Sequence, residues 1–485
     1  MRLHEKVLVL IPVLLVALAA GCEPSSARLD PAARRARLEA IRLTAAADVF
    51  RECKDSVVNI GLKRQDPANP ALTHLEFGSG IVLHEAGYIL TNAHAFRHGG
   101  TLGVGFHQGR EYPGRLVALD EQRDLAVIKI DPEQPVKPLR LGRSADLVVG
   151  EQVVTLGNPY GMGMTVTYGI VSAIGRATKS DYSFYPDMIQ TSASINPGSS
   201  GGPLLNVFGE CVGINTTEKM GANNIGFAIP SDRIRAELAE VLSPQGRYGF
   251  ILGLSVAADG LARVTEVAKG SPAEAAGVRV GDLVIRAGQT SVASALDLSL
   301  ALMPFRAGQT LPLLILREGR SIDLAVTLAK DEPRAPDAVD AVVPGLVCDV
   351  YEGAWKSLPD FASLRPAATE KVQTFDLGKH KGRHLFGLKI TGYLQVPAEG
   401  VYTFYAASDD GSRLYIGDRL VVDNDGMHSM WEKYGFIPLK AGKHAITVTY
   451  FEHAGEHGLK VSWEGPGIKK QPIPASALFS RGPDK

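Results

Sequence analysis

Three short segments of the sequence carry side chains that could together cleave a peptide bond. His94 ends an apolar, strand-like phrase, Asp124 opens a second apolar run, and Ser200 lies in a glycine-rich turn. A serine hydroxyl is a weak nucleophile at neutral pH and needs an imidazole to accept its proton. The imidazole needs a buried carboxylate that fixes its tautomer and stabilises its charged form. We therefore predict a triad in which His94 is the general base, Asp124 orients it and Ser200 is the nucleophile.

The turn that contains Ser200 has the composition of an oxyanion hole. Residues 196–203 read NPGSSGGP. Acyl transfer places negative charge on the substrate oxygen, which backbone N–H groups can stabilise, and glycine leaves room for a substrate backbone beside them. We expect the N–H groups of Gly198 and Ser200 to be the donors.

A competing motif overlaps this turn. GSSGG, residues 198–202, also fits the Gly-X-Ser-X-Gly nucleophile elbow of α/β-hydrolases. In that fold the acid and the histidine follow the serine, and helices alternate with strands. Here His94 and Asp124 precede Ser200 and the surrounding segments are strand-like, so the order of the residues favours the triad.

Short strands joined by glycine-marked turns must position the triad. Apolar runs of strand length fill residues 56–229, and they divide into two sets near residues 141–150. His94 and Asp124 fall in the first set and Ser200 in the second. The fold class is therefore predicted to be mainly β, with the site between two β-barrels.

A helix is predicted to follow the second set of strands, over residues 231–242, with Ser231 as its N-terminal cap. The residues on its buried face are expected to be Ile234, Leu238 and Val241. The stretch 330–344 is rich in Pro, Asp and Ala, which is linker composition. Beyond it, short strands with Asp-Gly turn signals return, a pattern typical of a β-sandwich.

The N-terminus has the pattern of a targeting segment. Arg2 and Lys6 precede the apolar run Val7–Ala20, which is too short to span a hydrocarbon core of about 30 Å. The ending AAGC resembles a bacterial lipoprotein box, which predicts that Cys22 is acylated and holds the protein on a membrane. An ordinary secretory signal or a retained anchor is the alternative. Asp30-Pro31 then predicts the start of a helix, which is either a solvated spacer or an oligomer contact.

The composition limits the functions that need to be considered. The 485 residues are enough for about three domains, and 45% hydrophobic with 21% charged residues excludes a wholly disordered chain. With 51 basic and 52 acidic residues the net charge is −1, which gives no electrostatic case for nucleic acid as a partner. Beyond Cys22 the cysteines are odd in number, so no disulfide framework is predicted.

Residues 55–330 resemble the HtrA (Deg) family of chymotrypsin-fold serine proteases with a PDZ domain. The phrases that carry the resemblance are GSGIV, TNAH, DLAVIKI, GNPYGMG, VTYGIVSAIGR, IQTSASINPGSSGGPL and NIGFAIP. The resemblance implies the triad and the oxyanion donors named above, trimers as the basic assembly and no cofactor for proteolysis. It also implies that Ile195 lines the specificity pocket, where an apolar surface favours small aliphatic side chains. Ser199 and Ser192 depart from the Asn and Asp that are usual in the family, and both bear on the rigidity of the turn.

The phrase YGFILGL, residues 248–254, opens the region that resembles a PDZ domain, with SPAEAAGV and GDLVI following it. The expected use of such a domain is to capture the terminal carboxylate of a peptide with backbone N–H groups and to add the peptide as an edge strand. Ile251, Leu252 and Gly253 are the expected carboxylate loop.

Residues 345–481 resemble the β-sandwich named after anthrax protective antigen, which is often attached to sugar-active enzymes and adhesins. In adhesin relatives paired aspartates hold Ca²⁺, which in turn holds sugar hydroxyls, so Asp409 and Asp410 are predicted Ca²⁺ ligands. A structural turn role for this pair stays open. Two roles are considered for Trp431 and Tyr434: stacking on a sugar ring, or packing in the core, which is the expected one. The spacing of His380 and His384 fits a metal site, yet Gly382 and the flanking lysines favour a solvated loop.

The predicted boundaries, in chain order, are a lipoprotein signal peptide at 1–21, a linker helix at 22–54, a trypsin-like serine protease domain at 55–243, a PDZ domain at 247–330, a linker at 331–344 and a β-sandwich at 345–481. We expect a membrane-anchored endopeptidase of the bacterial envelope, facing the periplasm, that cleaves unfolded or misfolded proteins. Its expected partners are C-terminal peptides, glycans and further copies of itself, as a homotrimer or larger. The alternative is a non-catalytic glycan- or cell-wall-binding protein, or a chaperone, with a dormant protease module.

Overall fold

The computed structural model describes residues 35, 44–65, 72–96, 100–179, 184–218, 224–258, 260–339 and 341–482. The chain divides into two compact units, residues 1–48 and residues 49–485. Cys22 lies outside the described residues, and of the predicted linker helix the structure describes its end, helix α1 at Ala45–Cys53. Within the described part of the chain, no helix combines the length and the apolar character that crossing a membrane requires.

One antiparallel sheet forms the first half of the protease region. Its strands are β1 Val57–Gln65, β2 Thr73–His84, β3 Tyr88–Thr91, β4 Thr101–Phe106, β5 Glu111–Pro113, β6 Arg115–Asp120 and β7 Leu125–Lys129. They are ordered β5-β4-β1-β2-β3-β7-β6. Alternate residues of β1, Val58, Ile60 and Leu62, are buried in its core. This is the alternation that period-two apolar patterning produces in a strand with one face inward.

The second half of the protease region is a closed barrel. Its strands are β8 Gln152–Gly157, β9 Thr165–Lys179, β10 Phe184–Thr191, β11 Pro203–Leu205, β12 Cys211–Glu218 and β13 Gly226–Pro230. They close in the order β10-β13-β12-β11-β8-β9. Val153, Val171 and Leu204 belong to the buried core of this barrel. The turn that carries Ser200 joins β10 to β11, so the barrel holds the turn at both ends.

Helix α2, Ser231–Leu242, has the predicted bounds, and Ile234, Leu238 and Val241 are fully buried as expected. The prediction that Ser231 caps the helix is wrong. Pro230 is the N-cap residue, and the Ser231 hydroxyl donates to the carbonyl of Gly142 at 2.8 Å. Tertiary packing therefore uses the hydroxyl that a free helix would turn toward its own backbone.

The PDZ region begins after a short helix, α3 Pro244–Tyr248. Its elements are β14 Phe250–Ile251, β15 Leu254–Val256, β16 Val264–Val267, α4 Pro272–Ala275, β17 Leu283–Ala287, β18 Thr290–Ser291, α5 Ala295–Leu302, β19 Thr310–Arg317, β20 Arg320–Thr327 and β21 Ala329–Lys330. Strands β18-β17-β19-β20 form one sheet, while β15-β16 and β14-β21 form two small ones.

The segment predicted as a linker is bonded to the C-terminal region. Arg334 contacts Asp337 and Nδ1 of His444, the latter at 3.0 Å. The backbone N–H of Asp337 donates to the carbonyl of Lys443 at 2.7 Å. Linker composition therefore does not mean a free segment here, because these charged side chains find partners on the neighbouring strands.

Two packed sheets form the C-terminal region. The strands are β22 Val342–Pro344, β23 Leu346–Glu352, β24 Ala368–Val372, β25 Phe386–Val396, β26 Gly400–Asp409, β27 Ser412–Ile416, β28 Arg419–Asn424, β29 Trp431–Leu439, β30 Gly442–Glu452, β31 Gly458–Gly465, β32 Ile468–Pro472 and β33 Leu478–Arg481. One sheet runs β22-β33-β25-β30-β27-β28, with β23 paired to β25 and β24 to β23, and the other runs β29-β26-β31-β32. Tyr402, Phe404 and Tyr450 are fully buried between them. The predicted mainly β fold class is confirmed throughout.

Candidate active site

His94 is positioned by the end of a buried strand. Strand β3 stops at Thr91, and a single 3₁₀ turn over Ala93–Phe96 presents the imidazole. Nδ1 lies 3.0 Å from each carboxylate oxygen of Asp124, and the backbone N–H of His94 donates to Oδ1 at 2.9 Å. Because a carboxylate accepts, this contact favours the tautomer with the proton on Nδ1, which leaves Nε2 as the free base.

Asp124 is only 1% exposed and has φ of 54°, in the left-handed region that few non-glycine residues adopt. Its Oδ2 accepts hydrogen bonds from Thr216 Oγ1 at 2.6 Å and from the Tyr185 hydroxyl at 3.0 Å. Burial opposes ionisation, but the hydrogen bonds from His94 and Thr216 outweigh it, so the pKa of Asp124 lies below its usual value. The carboxylate is thus charged at neutral pH.

The Ser200 hydroxyl does not meet the imidazole directly. It donates to the backbone carbonyl of Thr216 at 2.9 Å, and among the described residues no hydrogen bond joins it to His94. Thr216 therefore contacts both ends of the constellation, with its side chain on Asp124 and its carbonyl on Ser200.

The N–H groups of Gly198 and Ser200, on either side of Ser199 in this turn, have no protein acceptor among the described residues. The carbonyl of Pro197 accepts from the Tyr160 N–H at 2.9 Å, and the carbonyl of Ser199 accepts from the Gly202 N–H at 3.0 Å. In a trans peptide the C=O and the following N–H point in opposite directions. Both free N–H groups therefore point away from these anchors.

Glycine is required at position 198 of this turn. Its φ is 96°, and a Cβ there would lie 2.4 Å from the carbonyl oxygen of Asn158. A side chain would therefore push the turn away from the Asn158 loop and break the anchor at Tyr160. This explains physically why a glycine stands two residues before Ser200.

Ser79 joins the two halves of the protease region and was not singled out from the sequence. Its N–H donates to the carbonyl of Ser200 at 2.9 Å, and its hydroxyl donates to the carbonyl of Gly198 at 2.8 Å. The hydroxyl also accepts from the Asn158 N–H at 2.9 Å, and the Ser79 carbonyl accepts from Thr91 Oγ1 at 2.8 Å. The GSG phrase was the only signal for it, because these partners are far away in sequence.

The other predicted protease residues lie near the turn. Ile195 is 4% exposed and packs against Gly226. Ser199 is buried, and its N–H donates to the carbonyl of Asn196 at 2.8 Å. Ser192 Oγ accepts from the Ile170 N–H at 3.1 Å. The two positions that depart from the family pattern thus both have backbone hydrogen bonds.

The predicted PDZ loop has an unexpected partner. The N–H of Leu252 donates to Oε1 of Gln245 at 2.7 Å. Ile251 lies in strand β14, opposite Ala329. Gly253 has φ of 81°, and its carbonyl accepts from Ser271 Oγ at 3.2 Å. One of the three predicted carboxylate donors is therefore already bonded to a side chain of α3.

Asp409 and Asp410 meet a third carboxylate that the sequence pattern did not reveal. Ligand oxygens of Asp409, Asp410 and Glu452 lie within 4.8 Å of one another, and all three residues are buried. Burial first, and then the neighbouring charges of Asp410 and Glu452, raise the pKa of Asp409 to about 6. Glu452 comes from the end of β30, so strand pairing brings it to the pair.

The donor set of this carboxylate cluster fits a hard divalent cation such as Ca²⁺, which prefers carboxylate and carbonyl oxygens. Asn424 Nδ2 donates to Ser408 Oγ at 3.1 Å, directly before Asp409 in the chain. Oδ1 of Asn424 is buried, and no hydrogen-bond partner for it lies among the described residues. Asn424 therefore contacts the residue before Asp409 and carries a buried oxygen of the kind that Ca²⁺ prefers.

Three other sequence expectations concern the sandwich and the cysteines. His380 is buried and bonded to Glu370 and Arg383, so the prediction of a solvated loop is wrong for this residue. Its burial against charged partners explains the difference.

Tyr434 is partly buried, with its ring centroid 5.7 Å from that of Tyr405, and Trp431 is also partly buried. The cysteines that lie within the described residues are free and buried: Cys53, Cys211 and Cys348.

Comparison with known proteins names the domains. The trypsin-like peptidase domain matches residues 78–214, the PDZ domain residues 250–328 and the PA14 domain residues 343–477. The fold and the site therefore define a trypsin-like peptidase domain followed by a PDZ domain and a PA14 domain.

Serine protease HTRA1 of Xenopus tropicalis is 38% identical over 307 residues, which are 58% of this chain and 66% of that protein. HhoA of Synechocystis is 35% identical over 280 residues, 52% of this chain and 70% of that protein. The chain belongs to the HtrA family of serine proteases. It spans about half of other relatives, such as 54% of a DegP-like protein of Chlamydia trachomatis that is 38% identical over 269 residues, 52% of this chain.

Solved structures also match. The HtrA-type protease AlgW with decapeptide is 28% identical, with 60% of this chain and 100% of that chain covered and a TM-score of 0.37. A serine endoprotease from Yersinia pestis is 34% identical, with 59% and 98% covered and a TM-score of 0.35.

Proposed function

We propose that the chain is a serine endopeptidase that cleaves unfolded or misfolded envelope proteins, with His94, Asp124 and Ser200 as its catalytic residues. The observation that carries the proposal is the pairing of a buried, ionised carboxylate with Nδ1 of His94 at 3.0 Å. Such a pair orients the imidazole and stabilises the imidazolium that forms during the reaction.

The reaction follows from this geometry. Ser200 Oγ attacks the carbonyl carbon of the scissile bond while its proton passes to Nε2 of His94. The imidazolium then gives that proton to the leaving amine as the C–N bond breaks, which leaves an acyl-enzyme. Water, deprotonated by His94, hydrolyses the ester and restores the serine. The N–H groups of Gly198 and Ser200 stabilise the oxyanion in both steps.

Substrate binding must redirect the Ser200 hydroxyl. It now donates to the carbonyl of Thr216, and attack requires it to turn toward His94. Rotation about the Cα–Cβ bond between staggered positions supplies this change, and catalytic hydrogen bonds commonly tighten only when substrate is bound.

The decisive experiment compares cleavage of a chemically unfolded protein by wild type and by Ser200→Ala. The variant is expected to lose cleavage while keeping its fold, since only the nucleophile is removed. Ser199→Ala is the matched control, because it changes the neighbouring serine of the same turn. Equal cleavage by wild type and Ser200→Ala would contradict the proposal.

A second candidate function is a non-catalytic chaperone or glycan-binding envelope protein with a dormant protease module. The hydrogen bond from Ser200 to Thr216, in place of one to His94, favours this reading. Labelling with an active-site phosphonate separates the two functions. An active protease is labelled in the wild type and not in Ser200→Ala, whereas a dormant one is labelled in neither.

Substrate selection is proposed to use two further sites. The apolar side chain of Ile195 lines the specificity pocket and favours small aliphatic residues before the cleaved bond. The loop Ile251–Gly253 binds the terminal carboxylate of peptides. Cleavage of a peptide library, read by mass spectrometry, tests the first assignment, since a preference for charged residues before the cut would contradict it.

The PA14 domain is proposed to hold Ca²⁺ at Asp409, Asp410 and Glu452 and, through it, to bind the hydroxyls of a glycan. The clustering of three buried carboxylates supports this, because their mutual repulsion is relieved by a cation. Binding to a polysaccharide array with and without a chelator is the test. Absence of binding in both conditions would count against glycan recognition.

Localisation in the bacterial envelope, with a lipid on Cys22, and assembly into trimers complete the proposal. Relatives named as periplasmic endoproteases, including DegQ of Escherichia coli, support the compartment. Incorporation of labelled palmitate into wild type but not Cys22→Ser tests the anchor. Sedimentation of the purified protein tests the assembly, and a monomer at all concentrations would contradict it.

A further inference from the structure

The carboxylate loop of the PDZ domain already has an acceptor from within the chain. Oε1 of Gln245 accepts the N–H of Leu252 at 2.7 Å. An amide oxygen is a hydrogen-bond acceptor, as is each oxygen of a terminal carboxylate. Gln245 therefore makes the contact with this loop that a peptide C-terminus would make.

The groove beside the loop is bounded by the same part of the chain. In the part of the chain that the structure describes, strand β15 pairs with β16 alone, so its other edge is open for an added strand. A cavity of about 190 Å³ lies between β15 and α5, and Ala239, Ser243, Pro244 and Gln245 line its opposite side. The cavity is smaller than the roughly 300–1,000 Å³ that is common for ligand pockets, and the segment 239–245 supplies part of its lining.

Helix α3 is held in this position from two sides. On the PDZ side the contact is made by α2, the helix that leads into α3: Ser299 Oγ of α5 donates to the carbonyl of Ala239, in the last turn of α2, at 3.4 Å. On the sandwich side, the guanidinium of Arg247 lies 5.4 Å from the ring centroid of Phe436. A Cβ at Gly246 would lie 2.6 Å from Cδ2 of the same ring. The PA14 domain thus packs directly on the helix that carries Gln245.

We propose that α3 is an internal occupant of the PDZ groove, in which Gln245 competes with peptide C-termini, and that the PA14 domain stabilises this closed state through Phe436. The inference rests on the proposed recognition of peptides by the PDZ domain. Because α3 must leave before a peptide enters, only molecules with an open groove can bind. The apparent Kd for the peptide is therefore the intrinsic Kd divided by the fraction of molecules whose groove is open. The C-terminal domain then regulates peptide capture in addition to any glycan binding.

The test measures peptide binding by fluorescence anisotropy, with the full chain carrying Ser200→Ala so that no peptide is cleaved. The probe is a pool of fluorescein-labelled peptides that end in Val, Leu or Phe with a free carboxylate, and the same pool with amidated ends is the blank. Adding Gln245→Ala is expected to tighten binding about three- to tenfold, which is the equivalent of one hydrogen bond. Phe436→Ala is expected to tighten it as well.

Two matched variants distinguish the loss of the internal occupant from a general effect of substitution on the PDZ domain. Gln245→Glu keeps an acceptor oxygen and is expected to bind no more tightly than the parent. Gln289→Ala removes an exposed glutamine of the same domain that lies outside α3, and is expected to leave binding unchanged.

The outcomes are distinct. Measurable and equal binding by the parent and Gln245→Ala would overturn the internal occupant and leave peptide recognition standing. Binding by neither would overturn peptide recognition and the occupant with it. Tighter binding by Gln245→Ala with no change in Phe436→Ala would support the occupant and overturn the part assigned to the PA14 domain.

Discussion

Two buried aspartates, Asp124 in the protease region and Asp409 in the sandwich, show opposite pKa shifts. They are 1% and 4% exposed, and burial raises the pKa of both. Around Asp124 hydrogen bonds, first from His94, outweigh burial and lower the pKa. Around Asp409 the neighbours are Asp410 and Glu452, so their charges add to burial and the pKa rises to about 6.

Because burial raises the pKa of both carboxyls, the difference shows that their neighbours decide the direction of the net shift. A carboxylate surrounded by donors is ready to support an imidazolium, whereas one surrounded by carboxylates favours a proton or a cation. The two sites also respond oppositely to pH. The stability that Asp124 contributes is present above its unfolded-state pKa and is lost as the pH falls through its lowered folded-state pKa. The stability that Asp409 contributes is present below its ordinary pKa of 3.8 and is lost as the pH rises through about 6.

Among the substitutions around the two aspartates, Asp124→Asn is expected to have the largest effect. The amide cannot stabilise the imidazolium and favours the wrong tautomer of His94, so kcat should fall by about 10⁴-fold. Steady-state cleavage of an unfolded protein measures it. Asp131→Asn is the control. The Asp131 side chain is 81% exposed, and among the described residues its one ion pair is with Lys129. A loss of kcat below about tenfold in Asp124→Asn would contradict the role of Asp124 in stabilising the imidazolium.

Ser79→Ala tests whether the turn depends on the first sheet. Without the hydroxyl that bridges Asn158 and Gly198, the oxyanion donors lose a fixed position, so kcat should fall about 10- to 100-fold with KM nearly unchanged. Ser56→Ala is the matched control. Ser56 is equally buried in the same half of the protein, and its hydroxyl contacts the carbonyl of Pro138 at 3.4 Å. Similar kinetic losses in both variants would show a general packing effect.

Asp409→Asn tests whether the raised pKa of Asp409 makes the stability of the sandwich depend on pH and on Ca²⁺. In chelator the melting temperature of the wild-type sandwich should fall as the pH rises from about 4 to 7, and the variant should show a flatter profile. Addition of Ca²⁺ at pH 7 should raise the wild-type melting temperature by about 5 °C, the shift that roughly 1 kcal/mol produces. Differential scanning calorimetry measures both. An equal Ca²⁺ response in Asp409→Asn would argue against a cation at these carboxylates.

The smallest effect is expected from Tyr185→Phe. Asp124 loses one donor but keeps those of His94 and Thr216, so kcat should fall only about two- to threefold. Tyr168→Phe, at a tyrosine that is 52% exposed, should leave kcat unchanged. A loss as large as that of Asp124→Asn would mean that the hydroxyl of Tyr185 has a direct role in the reaction.

The sequence predicted well the features that depend on local chemistry. Strand alternation and the buried face of α2 follow from the period of the apolar residues. The predictions from the sequence were wrong where a polar side chain forms its hydrogen bonds with a residue that is distant in the chain. Ser231 bonds to Gly142 instead of capping its helix, and His380 is buried against Glu370 instead of lying in a solvated loop.

The types and order of His94, Asp124 and Ser200, together with the composition of the turn, were determined by the sequence alone. The groups that surround them come from segments that are distant in the chain and meet only in the folded protein. Strand pairing brings Thr216 to Asp124 across 92 residues of chain, and the packing of α3 brings Gln245 to the PDZ loop. The physical reason is that hydrogen bonds and charge interactions depend on distance in space, which a pattern along the chain does not contain.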